Sequence, residues 1–291
     1  MAYIDEQLII FKHMIENAIM TGGAEGKKSC ITSSALINLI HEAVKTELIA
    51  HGVDANNIKP PLGETSPEIK LAGLLKQKDQ DVCVLPDNIE KTPVPINWGP
   101  MAFENKTDPY GFEYSTNALV INIRSQMSSL AKNADTILER TFAEALNLHM
   151  RYPNMVLGEV LLIPVFEYDD KLVKSKRVGF KPGMTNVERY ISFLDAMNGR
   201  SPGEEDYKYE RCALLIVDFR PERPILYRNS RQLKEAGIIS ESFGIEYAAL
   251  GFDTFAEDML RIYADRYTLE NIWDMERVGR VISYERKNER I

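Results

Sequence analysis

Val120-Ile121-Asn122-Ile123-Arg124-Ser125-Gln126 reads as a strand that runs directly into a helix. Period-2 alternation puts Asn122 and Arg124 on one face and Ile121 and Ile123 on the other. Leu130, Ala134, Ile137, Leu138, Leu146 and Leu148 then mark the buried stripe of a long helix over about 126–150. Residues 156–168 follow as a long apolar strand broken in character by Pro164.

Working outward, residues 81–85 form a short β-branched strand that opens on Asp81 and closes at Pro86. Ser66-Pro67-Glu68 has the form of a helix start, with Ser as N-cap and Pro at the first helical position, so a helix is expected to about residue 76. Near the N-terminus, Ile4, Leu8, Ile9, Phe11, Ile15 and Ile19 predict a helix ending at Gly22-Gly23, and a second helix follows from 32–34 to Gly52. The intervening 22–29 segment is expected to be a loop. Its Gly26-Lys27-Lys28-Ser29 is not a phosphate-binding loop, because the earlier glycine is misplaced and a helix rather than a strand precedes it. Beyond the centre, 186–197 and 252–267 read as helices and 212–219 as a buried strand. Alternating strands and helices predict an α/β fold with a mixed central sheet flanked by helices, plus N-terminal helices. The expected division is an N-terminal helical segment (1–60), a core domain (61–275) and a charged tail (276–291).

Composition sets outer bounds. The 291 residues are 44% hydrophobic and 27% charged, which is globular composition and enough chain for a sizeable core. Cys30, Cys83 and Cys212 form no CxxC pair, which argues against a disulfide framework or a zinc site and for a reduced, cytoplasmic setting. No apolar run is long enough to span a bilayer. The net charge of −8 argues against non-specific coating of nucleic acid but leaves a locally basic cleft open. His13, His41, His51 and His149 have no partner at ligand spacing, and there is neither a nucleophile elbow nor a GxGxxG.

The chemistry-bearing residues gather in the middle third. Asp81 heads one strand, Asn122-x-Arg124 lies on the next, and the following helix carries Lys132-Asn133, Glu139-Arg140 and Glu144. This arrangement over about 66–168 resembles the PD-(D/E)XK nuclease core, and in particular a type II restriction endonuclease. Where that family has an acid-x-Lys triplet, this chain has Asn122-Ile123-Arg124. Some restriction enzymes carry the second acid on the following helix, which is where Glu139 stands.

The resemblance implies a restriction-endonuclease-like core, Mg²⁺ as cofactor and double-stranded DNA as substrate. Asp81 and Glu139 would be the metal ligands, because a hard divalent cation takes carboxylate oxygens. Arg124 would clamp the scissile phosphate and Asn122 would orient a water. Lys132, seven residues before Glu139 and so on the same helical face, would stand in for the catalytic lysine. A homodimer matching a palindromic site follows from the same analogy. Trp98, Asn105 and Lys106, in the proline-rich connection, and Lys174, Lys176 and Arg177, in the most basic stretch, are the expected DNA contacts. Glu144 reads as a helix ion pair with Arg140. Asp218-Phe219-Arg220 and Glu159 are held as reserve sites. The rival readings are a DNA-binding relative that has lost catalysis and an interaction protein with no nucleic-acid role.

Overall fold

The computed structural model describes residues 2–274. The expected C-terminal tail (276–291) lies outside them. Two helices open the chain, α1 (Tyr3–Thr32) and α2 (Ser34–Ala50). Short strands follow: β1 (Ile58–Lys59), β2 (Ile69–Ala72), β3 (Gln77–Gln80) and β4 (Val82–Val84). The proline-rich connection carries β5 (Val94–Pro95), α3 (Gly99–Phe103), β6 (Thr107–Asp108) and α4 (Phe112–Thr116). The central unit is β7 (Leu119–Ser125), α5 (Leu130–His149) and β8 (Val156–Pro164). Then come β9 (Phe166–Tyr168), α6 (Asp170–Lys174), β10 (Phe180–Met184), α7 (Val187–Met197), β11 (Arg211–Asp218), β12 (Ile225–Tyr227), α8 (Ser230–Glu235) and α9 (Phe255–Ala264).

Six strands form one mixed sheet in the order β1-β4-β7-β8-β11-β12. β7, β8 and β11 are parallel, and β4 and β12 flank them antiparallel. The edges are short. β1 has two residues and runs into Pro60-Pro61, and β12 has three.

Strict alternation divides the apolar side chains into two layers. Leu119, Ile121 and Ile123 of β7, Val160 and Leu162 of β8 and Leu215 and Val217 of β11 pack with α1, α2 and α9. Val120, Leu157, Leu161, Leu214 and Ile216 face α5 and α7. The expected mixed α/β architecture is therefore present, and the N-terminal helices share a core with the sheet. No helix among the described residues is long and apolar enough to cross a membrane.

Two expectations need correction. Residues 66–76 do not form a helix. Ile69 and Leu71 are buried on either side of exposed Lys70, and this period-2 pattern makes β2 a strand paired with β3. The 22–29 segment is not a loop either. The first helical arm does end at Gly23 (φ 60, ψ −133), but the chain turns back immediately into a second helical arm within α1. Gly26 sits so close to the first arm that a Cβ there would lie 2.2 Å from the Ala18 carbonyl oxygen. Only glycine permits both the turn and that approach.

At the N-terminal end of the parallel strands lies a buried ionic knot. Glu210 accepts from Leu157 N–H at 2.9 Å, lies 3.1 Å from His149 Nε2, and accepts from Arg200 at 3.0 Å and Arg266 at 2.9 Å. Burial alone would push this carboxyl up. His149 and Arg266 outweigh it and hold it below the ordinary carboxylate range.

Candidate active site

The register of β7 and β8 builds the site. Asn122 lies opposite Glu159, and Arg124 projects from the same face toward α5. Both positions sit in the layer covered by α5, where the sheet is otherwise apolar. Arg124 donates to Glu159 Oε1 at 2.7 Å and to the Thr141 hydroxyl of α5, and it also pairs with Glu144 one helical turn further on. Lys78 of β3 reaches the same Glu144 at 2.6 Å and Asn122 Oδ1 at 3.5 Å. Asp81, immediately before β4, accepts the Ile123 N–H at 2.7 Å and so borders the same pair of residues. Tyr209 closes the inner side and donates to the Thr141 carbonyl at 2.9 Å.

Burial sets the proton affinities here. Glu159 is 1% exposed, and desolvation raises its carboxyl to about 7 against the opposing pull of Arg124 and Lys78. The charge of Asp81 adds to the rise. Lys78 moves the other way, lowered by burial and then by Arg124. Glu68, the acid of the misread helix, is also raised, first by burial and then by Asp81. Two buried polar atoms, Glu159 Oε2 and Asn122 Nδ2, have no hydrogen-bond partner among the described residues.

The Glu159 shift has a consequence for stability. The folded state binds the proton more tightly than an unfolded chain with an ordinary value of 4.5, so this group's contribution is largest below pH 4.5 and is lost as pH rises through about 7. Denaturant titrations at pH 5, 6 and 8 are expected to show wild type losing stability relative to Glu159→Gln as pH increases. A pH-independent difference between the two would overturn the assignment.

Of the residues expected from sequence, Asp81, Asn122 and Arg124 converge. Lys132 and Glu139 do not. They share one face of α5, as expected, but that face is exposed and about half a turn round the helix from Thr141. Lys78, Glu144 and Glu159 occupy the positions by Arg124 instead. Glu144 is not paired with Arg140 but with Arg124 and Lys78. Two of these acids left a trace in the sequence. Glu144 lies on the line Ile137-Thr141-Glu144-Leu148 within the apolar stripe, and Glu159 interrupts an otherwise apolar strand.

The expected DNA contacts are dispersed. Trp98 is half-buried, donates to the Gly73 carbonyl at 3.2 Å and stacks under the Arg151 guanidinium, 3.8 Å from its ring centre. That engagement makes it a structural tie rather than a free stacking group. Asn105 and Lys106 are exposed on the loop after α3, Lys106 beside Glu104. Lys174, Lys176 and Arg177 are exposed in and after α6. The reserve pair Asp218 and Arg220 closes on itself at 2.7 Å, with Arg220 stacked on Phe166.

Among the described residues, no group of three or more His, Cys, Asp or Glu side chains is arranged to hold a metal ion. The oxygen donors nearest to such a role are Asp81 and Glu159, the latter with an unpartnered buried oxygen. No protein-family model, curated protein or solved structure matches this chain.

Proposed function

We propose that the chain is a Mg²⁺-dependent, sequence-specific endonuclease of double-stranded DNA, acting at the cluster of Asp81, Glu159, Lys78 and Arg124. The restriction-endonuclease resemblance and a homodimeric state belong to the same proposal. One observation carries it: acids and cations from β3, β7, α5, β8 and the residue before β4 form one cluster with Glu159, whose second buried oxygen has no hydrogen-bond partner among the described residues. Such clusters of opposed, perturbed proton affinities are characteristic of catalytic sites.

Mg²⁺ is commonly held by one or two carboxylates, with waters and phosphate oxygens completing its shell, and Asp81 and Glu159 are the acids of this cluster that could serve. Asp81 and Glu159 would hold it. When bound, it supplies an activated water and neutralises charge developing on the phosphate.

The chain's own groups account for the rest. Arg124 stays protonated and has guanidinium N–H groups for a phosphate oxygen, but it is no base. Lys78 is the better proton carrier, because burial and Arg124 weaken its hold on its proton. It takes the role that the sequence suggested for Lys132. Glu144 orients both cations by accepting from each. A second reading, binding without cleavage, draws support from the way Arg124 already neutralises Glu144 and Glu159.

Long unmodified DNA incubated with the purified protein, with Mg²⁺ or with EDTA, is expected to give discrete gel bands only with Mg²⁺. Intact DNA across enzyme concentrations, together with retained binding, would leave the non-cleaving relative instead.

A further inference from the structure

Two cavities adjoin beyond the C-terminal end of β7. One, of about 430 Å³, is lined by Ser33, Ser34, Arg124, Gln126 and Arg140 among others. The second, of about 420 Å³, is lined by Lys27, Lys28, Ser128, Ser129, Asp170 and Lys174. Ile31 and Thr32, on the second arm of α1, line both.

The charge of this region runs against that of the molecule. On a protein of net charge −8, the two linings hold five cationic side chains and one carboxylate, Asp170. Lys27 is the telling member. It is buried, yet among the described residues its ammonium has a single hydrogen-bond partner, Asp170 at 3.3 Å. An ammonium has three N–H donors, so capacity remains for an incoming acceptor. Asp170 itself is largely exposed and is shared with Lys181 at 3.4 Å, which dilutes its compensation of Lys27.

We infer that the two cavities form one groove that receives a single strand of DNA leading away from the Arg124 site, with Lys27, Lys28 and Lys174 meeting its successive phosphates. The identity of the phosphate at Arg124 rests on the nuclease reading; the groove itself does not. A strand fits better than a small anion because the cations are divided between two adjoining cavities, three in one and two in the other. From Ala24 to Thr32 the groove follows α1 for about 12 Å at the helical rise, longer than one phosphate group. The hydroxyls of Ser128 and Ser129 add donors beside the cations.

The test uses labelled 12-mer oligonucleotides, single-stranded and duplex, with fluorescence anisotropy in EDTA across a salt series. Lys28 and Lys174 are exposed, so Lys28→Gln/Lys174→Gln removes two cations without opening the core. This double variant is expected to bind about 10-fold more weakly near 0.1 M salt, and its log–log salt slope should fall by about 0.7–0.9 for each lost contact. Wild-type affinity and slope in the variant would overturn the groove, whether or not the enzyme cuts. Wild type that binds no oligonucleotide would overturn it as well. So would a mononucleotide or inorganic phosphate that binds as tightly as the 12-mer, which would make this a small-anion site. A weakened variant alongside wild type that never cleaves with Mg²⁺ would retain the groove and remove the nuclease reading.

Discussion

Lys78→Met is expected to slow DNA cleavage by about 10²–10⁴-fold, the usual effect of losing a positioned proton carrier, while Lys132→Met leaves the rate unchanged. The contrast follows from position. Lys78 bridges Glu144 and Asn122 inside the cluster, whereas Lys132 projects into solvent from the opposite face of α5. Removing Lys78 leaves Glu144 paired with Arg124, so no buried carboxylate is stranded and the fold should survive. Single-turnover cleavage of a plasmid, with melting temperature as the folding control, reads both variants. Equal losses in the two, or a wild-type rate in Lys78→Met, would remove Lys78 from the site.

The largest expected stability loss lies at the other end of the sheet. Glu210→Ala removes the one carboxylate that His149, Arg200 and Arg266 share, leaving Arg200 with Asp206 alone and taking from largely buried Arg266 its carboxylate partner. Breaking such a pair by removing one partner costs about 3–5 kcal/mol, a large share of a typical domain's stability. The wild-type contribution has a defined pH window. Because Glu210 is held below the ordinary carboxylate value, its stabilisation is full above pH 4.5 and is lost as pH falls through the lowered value. Urea denaturation of wild type and variant at pH 7 and pH 3 measures both effects, and the gap between them should narrow in acid. A gap of under 1 kcal/mol at pH 7 would show that the knot is not a stabilising element.

The parts of the fold with long periodic signals were legible in the sequence. β7, α5, β8, α7, β11 and α9 each have enough residues for alternation or a stripe to show, and the faces of Asn122 and Arg124 followed from β7 alone. Strands of two to four residues were not legible, because so few positions establish no period. β2 was further disguised by a Ser-Pro-Glu start that suits a helix as well as an extended segment. At the candidate site, Asp81 and Arg124 stood out by chemistry, whereas Glu139 and Lys132 were drawn in by spacing from the strand. Helical phase decided against them: Thr141 and Glu144 point at the sheet, and residues half a turn away cannot. Glu159 showed as a lone acid in an apolar strand, but its pairing with Arg124, like the place of Lys78, depends on contacts between strands remote in sequence, which no local pattern encodes.

The short borders of the main sheet constrain how two copies of this protein can meet. An exposed strand edge invites a neighbour to continue the ladder, and association of that kind tends to be open-ended. Here one border ends after two residues at a pair of prolines, which offer no N–H, and the other is three residues long. Neither is a template for another strand. A symmetric pair therefore does not form by continuing the main sheet, whose ladder is complete within each chain, and association through that sheet into fibres is disfavoured.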